Sequence, residues 1–373
     1  MSDASFSNKS QEKENVTRVL LLWTTPNSTN LGVRALGEGS AALVRRVAPD
    51  AEILTQSYGQ GEAPVNIGVG RSLLREFVLN SRGLKTWVKG FDLVVDTRAG
   101  DSFADIYGLP RLRKICNMAN FVKACGVPLV IGPQTIGPFT TRQGKRLGAA
   151  SLRRASLVMA RDSASMEAAT RLGRTPDVLT SDVVFAMEQP EAEGKRDVLL
   201  NVSGLLWNSD DHGSAREYQN TVREVIRGLH ERGRTVSLLS HVLDSDLLDN
   251  DEPTARMLSE EFGIEHVVPR DLTHLRSLVK GADLVIGSRM HACLNSLSVG
   301  TPAIPLAYSR KFKPLLGDLG WNHVVDLHDS TTPAADALAI LDGNPDLAVQ
   351  VLEVRKRADE LLDVAVKALQ KYI

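Results

Sequence analysis

Cysteine and net charge are both scarce in this sequence. The three cysteines among its 373 residues are Cys116, Cys125 and Cys293, which are too few and too scattered for a disulfide framework or a structural zinc site. Lys and Arg number 44 against 45 Asp and Glu, which leaves a formal charge of -1. This balance argues against a nucleic-acid partner and against a polybasic membrane patch as the basis of function. A bound anion must therefore be held by a local cluster of cations.

Long apolar runs are also missing. No stretch approaches the roughly 20 residues that a membrane-spanning helix needs, so we expect no integral membrane segment. Residues 1–17 are polar, carry charges of both signs and lack the apolar stretch of a secretory signal, so we expect a disordered tail. Together these features predict a cytoplasmic protein.

Short apolar runs alternate with amphipathic helical patterns along the rest of the chain. The runs that we predict to be buried strands are residues 16–23, 51–56, 91–97, 127–133, 155–162, 197–204, 235–242, 265–269, 282–288, 301–308 and 323–327. Predicted helices between them include residues 34–47, 71–79 and 142–155. Alternating strands and helices predict parallel βαβ units and an α/β fold.

The segment 189–197 interrupts this alternation with proline, glycine and a cluster of charges. We therefore predict two Rossmann-like domains that face a cleft, over residues 18–190 and 197–350. Residues 351–373 are predicted to form a C-terminal amphipathic helix. Its apolar stripe consists of Val351, Val354, Ala358, Leu361, Ala365 and Leu369.

Basic residues follow two consecutive predicted strands in residues 282–313. Arg289 and His291 lie just after the first of these strands, at the start of a helix. Lys311 follows the second. In open α/β sheets, ligands bind beyond the carboxyl ends of the strands, where helix N-termini offer free N–H groups. The segment therefore predicts a site for an anion, although Arg289 could pair with a carboxylate and His291 could cap or pack.

Other polar residues also follow predicted strands. Arg161 comes directly after the strand within residues 155–162, and His241 ends a strand of the second domain. Asn30 lies in the loop after the first strand, and Gln134 lies between two Gly-Pro pairs. Each could line the cleft, while a plain tight loop is an equally good explanation of the segment around Gln134.

Several common motifs are excluded because their residues are absent or have the wrong spacing or position. The G-x-G-x-x-A pattern at residues 37–42 lies well past the first strand, so a dinucleotide cofactor is not expected. The acidic segment 244–252 lacks the spacing of an EF-hand loop, and we expect a solvated loop there. Zinc-protease, nucleophile-elbow and Walker A motifs do not occur. We therefore expect neither a metal ion nor a cofactor.

Taken together, these stretches resemble the polysaccharide pyruvyl transferase family. The resemblance runs from about Trp23 to Lys313 and is most specific at residues 287–311, GSRMHACLNSLSVGTPAIPLAYSRK. Weaker matches are Asn30 with Gly32, DTRAGDSFADIYG at residues 96–108, IGPQTIGPF at residues 131–139, Arg161 with Asp162, Asp182, and LLSHV around His241.

The resemblance implies a fold similar to that of B-type glycosyltransferases. It also implies transfer of the pyruvyl unit of phosphoenolpyruvate to a sugar of a polysaccharide or its precursor, usually as a cyclic ketal. The resemblance assigns donor binding to Arg161, Arg289 and Lys311. It assigns catalysis to His291 and Arg289. The residue types suit this chemistry, because arginine binds phosphate and carboxylate bidentately and histidine moves protons near neutral pH.

The acceptor is expected on the N-terminal side, with Asn30, Gln134 and His241 as candidates for acceptor or cleft contacts. A lipid-linked acceptor would hold the protein at the inner face of the membrane. Two departures from the family pattern affect this side: Val33 stands where the family often has Asp, and residues 97–100 replace a glycine-rich stretch.

Two alternative functions remain open from the sequence. One is a nucleotide-sugar glycosyltransferase or epimerase of the same fold, but the helix of residues 291–299 lacks the acidic residue that such enzymes often use to bind sugar hydroxyls. The other is a non-catalytic protein that binds an anionic sugar. The altered residues of the N-terminal side leave this second alternative open.

Overall fold

The computed structural model describes residues 16–245 and 248–373, so the predicted tail lies outside the described residues except for Val16 and Thr17. The first of two parallel six-stranded sheets has the order β2-β1-β3-β4-β5-β6. Its strands are β1 (Arg18–Leu22), β2 (Glu52–Gln56), β3 (Leu93–Asp96), β4 (Leu129–Gln134), β5 (Leu157–Ala160) and β6 (Val178–Leu179). The second sheet has the order β12-β11-β10-β7-β8-β9. Its strands are β7 (Arg196–Asn201), β8 (Val236–Leu239), β9 (Glu265–Val267), β10 (Ala282–Gly287), β11 (Ala303–Ala307) and β12 (Val325–Asp326).

Helices cover both faces of each sheet. Those of residues 16–188, the N-terminal half, are α1 (Leu31–Arg45), α2 (Gly70–Leu79), α3 (Leu84–Lys89), α4 (Leu109–Ala124), α5 (Arg142–Arg154), α6 (Ser163–Arg171) and a 3-10 helix (Val183–Ala186). Those of residues 189–373, the C-terminal half, are α7 (Gly204–Asn208), α8 (Ala215–Glu231), α9 (Glu252–Phe262), α10 (Leu272–Lys280), α11 (Met290–Ser298), α12 (Phe312–Asp318), α13 (Pro333–Gly343) and α14 (Leu347–Leu369). Within the described part of the chain, no helix is both long and apolar enough to cross a membrane.

The predicted α/β class with two Rossmann-like sheets is confirmed. All of the predicted strands are present, because their apolar residues are buried from both faces of a parallel sheet. The two-residue strand β6 was not predicted, since Val178 and Leu179 are too few to form a recognisable apolar run. Each sheet changes direction beside its first strand, and such a switch point opens a crevice at the carboxyl ends of the strands.

The C-terminal helix α14 returns to the N-terminal half. It starts at Leu347, before the predicted start at residue 351, and it buries Leu362 rather than Leu361 on its inner face. Ser181 of the N-terminal half donates a hydrogen bond to the carbonyl oxygen of Ala358, at 3.2 Å. One continuous apolar core therefore joins α14 to residues of both halves.

Candidate active site

A cavity of about 210 Å³ lies between the carboxyl ends of the two sheets. Its walls come from residues that follow β1, β3 and β5 in the first sheet and β8, β10 and β11 in the second. The predicted site residues that line it are Asn30, Arg161, His241, Arg289, His291 and Lys311. The structure thus brings together six side chains that lie far apart in the sequence.

Gln134 is the predicted site residue that does not line the cavity. It is the last residue of β4 and pairs with Ala160 of β5, so its side chain is fully buried within the N-terminal half. Neither its amide oxygen nor its amide nitrogen has a hydrogen-bond partner among residues 16–245 and 248–373. Gln134 thus lies outside the cavity that the other six residues line.

Two helix N-termini border the cavity. Asn30 caps α1, where its Oδ1 accepts a hydrogen bond from the backbone nitrogen of Gly32 at 2.9 Å. Helix α11 begins directly after Arg289. A Cβ atom at position 32 would lie 3.0 Å from Nδ1 of His291, so glycine allows α1 to approach α11 this closely. Both helices direct the positive end of their dipole toward the cavity, which favours an anionic ligand.

Arg161 is buried and held in place by two side chains of its own half. Its Nη1 donates to Oδ2 of Asp182 at 2.8 Å, and its Nη2 donates to Oγ1 of Thr135 at 2.5 Å. Burial alone would raise the pKa of Asp182, but Arg161 and His291 hold that pKa below its ordinary value. The guanidinium is thus a fixed cation at the wall of the cavity.

Arg289 is held in a similar way within the C-terminal half. Its Nη2 and Nε donate to Oδ1 of Asp251 at 2.7 and 3.1 Å, and Nη2 also donates to the carbonyl oxygen of Asp249. The expectation that residues 244–252 form a solvated loop is wrong for Asp251, which is fully buried. A buried carboxylate needs hydrogen-bond donors, and the backbone nitrogen atoms of Gly204 and Val242 supply them besides Arg289.

Lys311 reaches from the C-terminal half to a carboxylate of the N-terminal half. Its ammonium group forms an ion pair with Asp101 and lies 3.3 Å from the hydroxyl oxygen of Tyr107. Tyr107 itself donates to Oδ2 of Asp101 at 2.6 Å. Burial lowers the pKa of Lys311 despite the carboxylate. Sequence reasoning matched the segment that contains Asp101 and Tyr107 but did not single out either residue.

Two uncharged imidazoles complete the cavity. Nε2 of His291 lies 3.8 Å from Oδ2 of Asp182, and it has no hydrogen-bond partner among the described residues. Burial lowers the pKa of His291, and Arg161 and Lys311 add to this effect while Asp182 opposes it. His241 is fully buried behind it, and burial holds the pKa of His241 well below its ordinary value. Both side chains are therefore neutral near pH 7.

The loop after β3 has a backbone conformation that favours glycine. Arg98, Ala99 and Gly100 all have left-handed φ values, of 53, 52 and 77°. Arg98 and Ala99 thus adopt a backbone conformation that glycine would adopt at lower cost. The guanidinium of Arg98 is buried 4.5 Å above the ring centre of Phe103. This loop carries Asp101 to the cavity wall.

In the described part of the chain, the structure shows neither an exposed cysteine nor a group of side chains arranged to hold a metal ion. Cys116, Cys125 and Cys293 are buried free thiols, and burial raises the pKa of each. Across residues 16–245 and 248–373, no group of three His, Cys, Asp or Glu side chains is arranged to hold a metal ion.

Several solved structures with a bound uridine nucleotide have a similar fold. UDP-GlcNAc 2-epimerase from Neisseria meningitidis, bound to UDP-GlcNAc, has a TM-score of 0.58 and 10% identity over 95% of this chain and 100% of that chain. MnaA of S. aureus, with UDP, has a TM-score of 0.56 and 12% identity over 93% and 92%. HepE of Anabaena, with UDP and glucose, has a TM-score of 0.55 and 12% identity over 94% and 96%. Such low identities show the fold alone, and they confirm the predicted similarity to B-type glycosyltransferases.

Sequence relatives are more specific. The amylovoran biosynthesis protein AmsJ of Erwinia amylovora is 23% identical over 285 residues, which are 69% of this chain and 64% of that protein. This chain thus spans less than two thirds of the length of that relative. The family model for polysaccharide pyruvyl transferase matches residues 30–310, which include each predicted site residue except Lys311. The chain therefore belongs to the polysaccharide pyruvyl transferase family.

Proposed function

We propose that this protein transfers the pyruvyl unit of phosphoenolpyruvate to a sugar of a polysaccharide or its precursor and forms a cyclic ketal. The observation that carries the proposal is the composition of the cavity. Two fixed arginines, one lysine and two helix N-termini surround a neutral histidine whose Nε2 lacks a hydrogen-bond partner within the described residues. Such a site suits a small ligand with several negative charges and a reaction that moves a proton.

The size and charge of the cavity favour phosphoenolpyruvate over a larger donor. Its volume of about 210 Å³ lies below the roughly 300–1,000 Å³ that is usual for drug-sized ligands, so a nucleotide sugar would have to extend well outside it. Phosphoenolpyruvate carries a carboxylate and a phosphate on adjacent positions. We assign these two groups to Arg161 and Lys311, with Arg289 supplying a third positive charge at the start of α11.

The bond changes follow from the chemistry of the enol phosphate. Protonation of its methylene carbon produces a methyl group and an oxocarbenium-like centre at the neighbouring carbon. A sugar hydroxyl attacks that centre, forms a new C–O bond and loses its proton. Phosphate then leaves with the electrons of its C–O bond, and a second hydroxyl of the same sugar attacks and loses its proton. The products are the cyclic ketal and inorganic phosphate.

The protonation state of His291 suggests its part in this sequence. Because the pKa of His291 is lowered, the resting imidazole is neutral and can accept the proton of the first sugar hydroxyl. Asp182, with its Oδ2 3.8 Å from Nε2, stabilises the imidazolium that results. Within this addition step, His291 takes the proton of the hydroxyl and passes it to the methylene carbon as the new C–O bond forms, so one residue serves as both base and acid. His241 is too deeply buried to be the first choice for this role.

The proposal includes an acceptor bound on the N-terminal side of the cavity. Asn30 and Val33 line that side, and Asp101 with Tyr107 lies at its edge. Where the family often has Asp, Val33 offers an apolar contact, which suits a sugar face or a deoxy position. We propose that the acceptor is lipid-linked and that the reaction takes place in the cytoplasm at the inner face of the membrane.

Ligand binding and phosphate release test the donor assignment together. Phosphoenolpyruvate should raise the melting temperature, and UDP- or GDP-sugars should not, because a ligand that binds only the folded state stabilises it. Inorganic phosphate should be released when phosphoenolpyruvate is supplied with the correct hexose or N-acetylhexosamine acceptor, and EDTA should not abolish this release. Stabilisation by nucleotide sugars without any by phosphoenolpyruvate would overturn the assignment in favour of a glycosyltransferase or epimerase. Stabilisation by an anionic sugar without any turnover would favour a binding protein.

A further inference from the structure

Charge is unevenly distributed between the two halves, although the whole chain is nearly neutral. Residues 16–188 contain 22 Lys and Arg against 14 Asp and Glu, a formal charge of +8. Residues 189–373 contain 20 against 28, a formal charge of -8. No acidic residue occurs between Asp105 and Asp162, a segment that contains ten basic residues and forms α4 and α5. The N-terminal half thus presents a strongly basic surface that the overall balance concealed.

Helix α2 exposes apolar side chains on this basic half. Leu74 is 67% exposed and Val78 is 70% exposed. Arg71, Leu74, Arg75 and Val78 follow the spacing i, i+3, i+4 and i+7, so they share one stripe of the helix. Val69 and Leu79 at the two ends of the helix are also exposed. An apolar stripe interleaved with arginines is therefore turned toward solvent.

The acidic residue of α2 does not neutralise this stripe. Glu76 is buried beneath the helix, and its carboxylate accepts hydrogen bonds from Oγ of Ser81 and from the backbone nitrogen atoms of Arg82 and Leu84. It serves to fix the turn between α2 and α3. The side chains that α2 shows to solvent are therefore apolar or positively charged.

The exposed side of α4 connects this stripe to the cavity. Phe77 of α2 packs edge-on against Phe121 of α4, with ring centres 6.2 Å apart. Toward the other end of α4, the guanidinium of Arg111 lies 5.6 Å from the ring centre of Tyr107, which contacts Lys311. Arg111, Arg113 and Lys114 are exposed on α4, so this helix, which packs against α2, places basic side chains between the apolar stripe and the edge of the cavity.

We propose that this surface, made of α2 and the exposed side of α4, binds the surface of an anionic lipid bilayer. Apolar side chains of a surface helix enter the boundary between headgroups and acyl chains, and the flanking basic residues are attracted to anionic headgroups. The two contributions act together, which is what stable but reversible membrane binding requires. The overall charge balance argues against a polybasic membrane patch for the whole chain, whereas the N-terminal half alone carries a formal charge of +8.

The inference deepens the proposed function, because a bilayer beside the cavity would carry a lipid-linked acceptor to it. It is nevertheless tested without donor or acceptor. Vesicle binding that fails while phosphoenolpyruvate still stabilises the fold would refute the membrane surface alone. Vesicle binding without phosphoenolpyruvate-dependent turnover would refute the reaction alone.

The test measures co-sedimentation of the full chain with vesicles. Vesicles that contain phosphatidylglycerol and phosphatidylcholine should bind the protein, and vesicles of phosphatidylcholine alone should bind it much more weakly. Because salt screens the attraction, binding should also fall at about 1 M NaCl, where the Debye length is roughly 3 Å. Equal binding to both vesicle types at low salt would contradict the basic component of the surface.

Two double variants separate the apolar and basic contributions. Arg71→Gln with Arg75→Gln should lower the partition coefficient about 25-fold, because each basic residue near an anionic surface contributes about fivefold. Leu74→Ser with Val78→Ser should lower it at least tenfold. The matched control is Val349→Ser with Leu352→Ser, which removes similarly exposed apolar residues from α14 and should leave binding unchanged. A melting curve for each variant confirms that it folds.

Self-association is the competing explanation of an exposed apolar stripe. Sedimentation velocity of the wild type and of the Leu74→Ser, Val78→Ser variant distinguishes the two. A dimer that the double substitution dissociates, with no binding of the wild type to anionic vesicles, would overturn the membrane proposal. Equal loss of vesicle binding in the α14 control would overturn it as well, because the effect would then not be specific to α2.

Discussion

The two arginines of the cavity are held alike in the two halves of the molecule. Arg161 in the N-terminal half and Arg289 in the C-terminal half each follow a strand end, and each is paired with a carboxylate of its own half. The partners are Asp182 and Asp251, and all four side chains are at most 9% exposed. Each half therefore supplies one cation whose position does not depend on the other half.

Lys311 differs from the arginines both in the location of its carboxylate partner and in the exposure of the ion pair. Its partner Asp101 belongs to the opposite half, and the two side chains are 16% and 34% exposed. A partly hydrated pair contributes less stability and exchanges partners at lower cost than a buried one. The comparison indicates two fixed charges and one exchangeable charge, which the proposed anionic donor would take from Asp101.

The largest expected effect concerns the residue between these cations. His291→Gln keeps a polar tip of similar size but cannot move a proton near pH 7, so turnover should fall about 10²–10⁴-fold. Donor affinity should stay within a few-fold of wild type, since the cations remain. Phosphate release and calorimetry measure the two quantities, with the exposed His230→Gln as the control. Near-normal turnover would show that His291 is structural and would make His241 the next candidate.

The difference between buried and hydrated pairs can be tested through stability. Asp251→Asn leaves Arg289 as an uncompensated buried charge, so the free energy of unfolding should fall by about 3–5 kcal/mol. Asp101→Asn should cost about 0–1 kcal/mol, because its pair is partly hydrated. Urea denaturation of both variants gives the comparison. Similar losses of stability for the two variants would mean that the buried pair and the partly hydrated pair contribute equally to the free energy of unfolding.

The exchangeable charge predicts donor effects of opposite sign. Lys311→Ala should weaken binding of phosphoenolpyruvate by roughly 1.5–3 kcal/mol, the scale of a charge-assisted hydrogen bond. Asp101→Asn should strengthen donor binding, because it removes the carboxylate that competes for Lys311. Isothermal titration calorimetry of each variant measures both changes. Weaker binding in Asp101→Asn would show that Asp101 holds Lys311 in place rather than competing with the donor.

The buried imidazole beside the cavity predicts a pH dependence of stability. Burial, with His291 and Arg289, holds the pKa of His241 well below 6.5, whereas the unfolded chain regains an ordinary value. The unfolded chain therefore binds the proton first as the pH falls. Stability should be complete above pH 6.5 and decline below it, by at most about 1.4 kcal/mol per pH unit from this group. Urea denaturation between pH 5 and 8 should give a shallower slope for His241→Phe than for the wild type.

The smallest effect concerns the loop that carries Asp101. Ala99 has a φ of 52°, so Ala99→Gly should relieve backbone strain and, after the entropy cost of glycine is subtracted, stabilise the fold by about 0.5–1 kcal/mol. Ala149→Gly, within helix α5, should destabilise it by a similar amount because glycine is a poor helix former. Thermal unfolding of the two variants measures the difference. A loss of stability in both would show that Ala99 is not strained.

The strands and most of the site could be predicted because their signals are local in the sequence. An apolar run such as residues 282–288 marks a strand buried on both faces, and the charged residues after it must lie at the sheet edge. Asp251 could not be found in this way, since its acidic neighbours are typical of a solvated loop. Its burial depends on Arg289 and on backbone donors that are distant in the chain.

Two other features also could not be predicted from local sequence signals, namely the burial of Gln134 and the basic surface of the N-terminal half. Gln134 belongs to β4, which extends one residue beyond the predicted strand, and its side chain is fully buried. The net charge of the whole chain does not reveal the basic N-terminal half, because the two halves carry opposite formal charges of +8 and -8. Charge summed separately over the two predicted domains would have revealed it.

The position of α14 has a consequence for how the chain folds during synthesis. Its residues Ala358, Leu362 and Ala365 fill a core that also contains α1 and the first sheet, so the N-terminal half is not covered when its own last strand is made. The ribosome must first produce the whole second sheet. Until residues 347–369 emerge, α14 cannot pack on apolar side chains such as Val183 and Leu43. The nascent chain therefore needs protection from aggregation over that interval. Residues 16–190 expressed alone would have the same defect permanently.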